Sequence, residues 1–131
     1  MDYSEFIGEV QHRIGAGEMG TAVRNTRAVL TTLGERLQAD EAEDLASPLP
    51  GEVSYYLLDA NSGQGFDHAV FLERVAERAG VDEGEAKIRA QAIVALVGDV
   101  VPGGEIDDVE DGLPDDYAPL FEFVDAEETP W

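Results

Sequence analysis

MDYSEFIGEVQHRIG, residues 1–15, and FDHAVFLERVAERAG, residues 66–80, are two versions of one segment. Laid end to end they pair Asp2 with Asp67, Phe6 with Phe71, Val10 with Val75, Arg13 with Arg78 and Gly15 with Gly80. One residue is then lost from the second version, and AVLTTLGERLQADEAEDLASPLPGEVSYYL, residues 28–57, lies over AIVALVGDVVPGGEIDDVEDGLPDDYAPLF, residues 92–121. Gly34 meets Gly98, Glu41 meets Glu105, Asp44 meets Asp108, and Leu49-Pro50 meets Leu113-Pro114, while Leu30, Leu33, Leu37 and Leu45 each meet a valine. Self-similarity of this kind marks a tandem repeat. The chain divides into repeat one at 1–60, a linker NSGQG at 61–65, repeat two at 66–121 and an acidic C-terminal tail, EFVDAEETPW, at 122–131.

Within each repeat the apolar spacing is helical. Tyr3, Phe6, Ile7, Val10 and Ile14 fall at three-and-four intervals, which places them on one stripe, and Asp2 stands where an N-cap carboxylate is expected. Thr26, Val29, Leu30, Leu33 and Leu37 share one face of a second helix, and Ala90, Ile93, Val94, Val97 and Val101 share the corresponding face in repeat two. Asp82 followed by Glu85 predicts a capping box at the start of that counterpart. A turn at QAD or PGG leads to a short acidic helix around Leu45 or Val109, and Leu-Pro ends it and restarts a helix with proline in the first helical position. GEVSYYLLDA is expected to be helical, whereas Pro119 makes its equivalent less regular. A unit of roughly 60 residues buries only about 60% of its unfolded surface, so two such units are expected to share a core. The fold class is therefore all-α: two tandem homologous helical repeats, about six to eight helices, in one compact bundle-like domain.

Charge narrows the setting and the partners. Twenty-nine Asp and Glu face eight basic residues, only Lys87 among them a lysine, for a formal net charge of −21. At about 1 M salt the Debye length is roughly 3 Å, so self-repulsion that would expand this fold in dilute buffer is screened. Arginine in place of lysine keeps multidentate pairing. The composition reads as adaptation to high salt, with a surface dedicated to a basic partner as the alternative. Nucleic acid is not an expected partner, because phosphates need a positive face. Nor is a membrane: no apolar run approaches 18 residues, and MDYSEF lacks the basic and apolar regions of a signal peptide. A cytoplasmic protein is expected. Zero cysteines remove thiolate catalysis and thiolate metal sites.

Four features invite a chemical reading, and each has a structural one. GAGEMG, residues 15–20, matches G-x-G-x-x-G, but it follows a helix rather than a strand and reads as a C-cap glycine and a turn. DDVEDG, residues 107–112, resembles the start of a calcium loop, yet Val109 and Ala118 stand where ligands are needed, so a solvated acidic helix face is expected. His12 and His68 have no paired metal spacing, and His68, at the position of Tyr3, predicts partial burial. Of the four basic residues in each repeat, Arg13 and Arg78 stand out by their equivalence and are expected to form structural salt bridges. No catalytic, cofactor-binding or metal residue is singled out, and no cofactor is expected.

The order MDYSEFIGEVQHRIG, TRAVLTTLGERLQADEAEDLASPLP, FLERVAERAGVDEGEA and PGGEIDDVEDGLPDDYAPLF resembles the domain-of-unknown-function family numbered 2267, found in bacteria and haloarchaea. The resemblance covers nearly everything up to Phe121, and the acidity suits a haloarchaeal-type member. It implies a helical fold and a cytoplasmic setting, and transfers no activity or ligand. The function expected is a non-enzymatic protein-interaction or regulatory module adapted to high salt, with a protein as its partner. The alternative is an acidic protein that sequesters a basic partner by charge, and an enzyme ranks last.

Overall fold

Asp2 opens the first helix by accepting from the backbone N–H of Glu5 at 2.9 Å, while the Asp2 N–H donates back to the Glu5 carboxylate at 3.3 Å. The helix this box starts, α1 (Tyr3–Ile14), ends at Gly15, whose left-handed φ of 67° lets the chain turn into α2 (Met19–Arg36). The computed structural model, which describes residues 1–124, continues with α3 (Ala39–Ala46), α4 (Gly51–Leu58), α5 (His68–Ala79), α6 (Glu83–Val100), α7 (Glu105–Gly112) and a 3₁₀ helix (Asp115–Phe121). That is eight helices and no strand among the described residues. The lengths 12, 18 and 8 recur in the same order in the two halves. Asp67 caps α5 as Asp2 caps α1, and Gly80 ends it with φ 72°. Pro119 lies inside the 3₁₀ helix, where it has no N–H for an α-helical bond, while its counterpart region in α4 is α-helical.

Two local expectations need correction. Pro50 and Pro114 are the N-caps of α4 and the 3₁₀ helix rather than their first helical residues, so Gly51 and Asp115 begin those elements. At α6, Asp82 accepts from Glu85 N at 2.8 Å, but the reciprocal half of a box is not formed; the Glu85 carboxylate turns instead to Arg89 one helical turn on, at 3.4 Å.

The halves interlock through exchanged partners. The core is one cluster in which Phe6, Val10, Leu30 and Leu33 from the first half pack with Phe71, Val75, Ile93 and Val97 from the second. α5 packs on α2 and α1 on α6, as well as each on its own neighbour in sequence. Ion pairs follow the same exchange: Arg13 of α1 reaches Asp99 of α6 at 2.8 Å, and Arg78 of α5 grips Glu35 of α2 through both terminal nitrogens at 2.7 and 2.9 Å. Glu35 and Asp99 are equivalent in the sequence alignment, as are Arg13 and Arg78, so the two contacts are one interaction made in both senses. Arg89 and its aligned counterpart Asn25 meet each other at 3.2 Å, where α2 and α6 cross. Both arginines expected to be structural are structural.

The segment 61–65 lies against the end of α2, with Gly63 N donating to Leu37 O at 2.8 Å and Gln64 N to Glu35 O at 2.9 Å. Tyr117 closes the other side: its hydroxyl donates to Phe66 O at 2.7 Å, and burial pushes its pKa up to about 12. Of the tail read at 122–131, Val124 packs on the core and Glu122 accepts from Gln91; residues 125–131 lie outside the described residues. Among the described residues no helix is long and apolar enough to cross a membrane.

Candidate functional site

The motifs with chemical overtones resolve into joints and core. GAGEMG spans the end of α1, the turn and the start of α2, with no strand before it. DDVEDG lies within α7, its Val109 buried and Asp107, Asp108 and Asp111 facing solvent. His12 is exposed. His68 is half-buried among aromatic rings, 6.3 Å from Phe71 and 5.6 Å from Tyr117, and its backbone N–H is held by Asp116 at 2.8 Å. Burial holds its imidazole pKa below the ordinary value, with Asp116 offsetting part of that effect, so the ring is neutral at neutral pH.

Arginine is where the structure departs from an evenly paired surface. Arg13 bonds Glu9 and Asp99, Arg74 bonds Glu35 and Gln64 and lies 4.1 Å over the Phe66 ring, and Arg89 reaches Glu85 and Asn25. Arg36 donates to Phe66 O at 2.8 Å. Arg24 and Arg27 have neither an ion pair nor a hydrogen bond among the described residues, although the chain carries 29 carboxylates. Both line the same cavity, of about 380 Å³, together with Ala28, Thr31 and Arg78.

The cleft has a simple helical origin. Residues 24, 27, 28 and 31 recur at three-and-four spacing on one face of α2, and α5 walls that face with Arg78. Arg78 is only partly spent. Three of its five N–H donors go to Thr32 and Glu35, which leaves two. A second cavity of about 310 Å³ shares Arg27 and Thr31 and runs on to Tyr55, Tyr56, Asp59 and Ala60 at the end of α4. The Tyr56 phenol is held above its ordinary pKa by burial and by its hydrogen bond with Tyr3, so it is uncharged and does not repel an anion. The two cavities adjoin at Arg27 and Thr31 on α2, with arginines lining the one beside α5 and tyrosines the one beside α4.

Guanidiniums in this arrangement are suited to holding an anion. Each offers a planar fork that matches carboxylate or phosphate oxygens and stays charged at every accessible pH. Three like charges line the cleft, of which only Arg78 is paired with a carboxylate, Glu35, and an anion bound there relieves the repulsion among them. The sequence singles out Arg13 and Arg78 for salt bridges; the structure adds that Arg24 and Arg27 have no ion pair or hydrogen bond among the described residues. The sign of it was legible in a local omission: residues 19–34, MGTAVRNTRAVLTTLG, contain no Asp or Glu, so neither arginine has an acidic neighbour one turn away.

No curated protein matches this chain. A family model does, over residues 3–120, which takes in all seven α-helices and most of the 3₁₀ helix. On that match, the chain belongs to the family described as uncharacterized conserved protein (DUF2267).

Proposed function

We propose that this protein is a non-enzymatic regulatory module of a high-salt cytoplasm, and that it works by taking an anionic ligand into the arginine cleft on α2. One observation carries the proposal: in a chain of net charge −21, the arginines with no ion pair or hydrogen bond among the described residues, Arg24 and Arg27, line one cavity together. A binding role rather than turnover is supported by the lining itself, because guanidiniums and a threonine hydroxyl hold charge in place but do not exchange protons near neutral pH. The test is a thermal shift with pyrophosphate against KCl of equal ionic strength. Ligand that binds only the folded chain raises its melting temperature. Pyrophosphate should stabilise the wild type and leave an Arg24→Ala/Arg27→Ala variant unmoved; equal behaviour of the two sinks the proposal.

The charge alternative, in which the acidic surface sequesters a basic partner, draws on the exposed carboxylates of α7. Such binding is screened away at about 2 M KCl, whereas a multidentate cleft retains part of its affinity. High-salt adaptation makes its own prediction. Self-repulsion among exposed carboxylates falls as salt is added, so the melting temperature should rise between about 0.1 M and 2 M KCl. A melting temperature that does not change over that range removes the high-salt reading.

A further inference from the structure

We infer that the ligand of this groove is a phosphomonoester joined through a short spacer to a planar, nitrogen-containing ring, the chemical class of a mononucleotide, whose spacer is the sugar. The inference rests on the anion-binding reading above and adds the second half of the ligand. A lone phosphate engages the arginine compartment of about 380 Å³ and leaves the adjoining compartment of about 310 Å³ empty. The two meet at Arg27 and Thr31, and each lies at the lower end of the size range of small-molecule sites.

The far compartment has its own preferences. Tyr55 is 58% exposed, and with Tyr56 it offers aromatic surface on which a ring stacks. Asp59 closes this end as the C-cap of α4, where its carboxylate and the negative end of the helix both favour a hydrogen-bond donor and reject a second anion. The groove thus has opposite polarity at its two ends. It selects a ligand with negative charge at one end and N–H groups on a flat ring at the other, and it disfavours bisphosphates and dicarboxylates.

Isothermal calorimetry on the full chain, at one fixed KCl concentration, separates the parts. The probes are adenosine 5′-monophosphate, inorganic phosphate and adenosine. Stacking of one ring should make the monophosphate bind about tenfold or more tighter than phosphate. Tyr55→Ala should erase that margin and leave phosphate binding intact, Tyr55→Phe should keep it, and Arg27→Ala should weaken both phosphorylated probes. If phosphate and the monophosphate bind equally to the wild type, the ring half is overturned and anion capture stands. If neither binds, both proposals fall together. If adenosine binds as well as its monophosphate, the assignment of the arginine end is wrong.

Discussion

Gly34→Ala should destabilise the protein by about 3 kcal/mol, the largest loss expected from any single methyl group in this chain. A Cβ at Gly34 would stand 2.6 Å from the Leu57 carbonyl oxygen and 2.8 Å from the Ala60 side chain. Neither neighbour yields easily, since one is backbone at the end of α4 and the other is a single methyl on the chain that follows it. The clash therefore exceeds the benefit of about 1 kcal/mol that alanine brings to a helix interior. Gly98 is the aligned equivalent in α6 and makes the control. There a new Cβ meets Val124 Cγ1 at 3.3 Å and Ile106 Cγ2 at 3.5 Å, both side-chain atoms that can rotate or shift. Gly98→Ala should lie within about 1 kcal/mol of wild type. Urea unfolding midpoints of the two variants, measured in KCl, decide the matter, and equal midpoints would refute the close approach of α2 and α4. The same change bears on the groove. Pushing α4 away from α2 separates Tyr55 and Tyr56 from Arg27, so any Gly34→Ala protein that folds should bind adenosine monophosphate no better than phosphate.

This pair of glycines shows what a sequence makes visible and what it leaves hidden. Both were legible as aligned positions in equivalent helices. Their unequal tightness was not, because it depends on Ala60 and Val124, which reach them only through the tertiary fold. The helices themselves were legible for a local reason: apolar residues at three-and-four spacing, carboxylate caps at Asp2 and Asp67, and glycines at 15 and 80 act within a turn or two of chain. Errors at Pro50, Pro114 and Glu85 were also local, of one position or one side-chain rotamer. The exchange of partners, α1 on α6 and α2 on α5, joins residues more than 40 positions apart, and apolar periodicity carries no information about it. The arginine cleft falls between these cases. Its acid-free stretch is written in residues 19–34, yet the lack, among the described residues, of a carboxylate paired with Arg24 or Arg27 from any other element is a property of the packed molecule alone.

Glu35 is the residue on which the interlocked halves and the cleft both depend, and Glu35→Ala should lower stability by about 2 kcal/mol at neutral pH. Its carboxylate, with 12% of the side chain exposed, receives Arg78 at 2.7 Å and Arg74 at 3.1 Å. Burial resists the charged form, but the hydrogen bonds and charge of Arg78, and then of Arg74, outweigh it and hold the pKa below the ordinary 4.5. The carboxylate is thus bound more tightly in the folded chain than in the unfolded one. Its contribution is complete above about pH 4.5 and is lost as the pH falls through the lowered folded value. Glu35→Gln should accordingly be destabilising at pH 7 and nearly harmless in strong acid, where wild-type Glu35 is itself neutral. Asp99→Asn removes the equivalent contact to Arg13, but Asp99 is 57% exposed, so its loss should be no more than about 0.5 kcal/mol and should vanish in molar KCl. The Glu35 deficit should be less sensitive to that salt, because only 12% of the Glu35 side chain is exposed and its removal leaves both Arg74 and Arg78 without their shared carboxylate. Denaturation of the three proteins at pH 7 and pH 3, in low and high KCl, measures all of this. A Glu35→Gln deficit that grows on acidification, or that disappears with salt as the Asp99→Asn deficit does, would mean that Glu35 is an ordinary surface acid and not the clamp between α2 and α5.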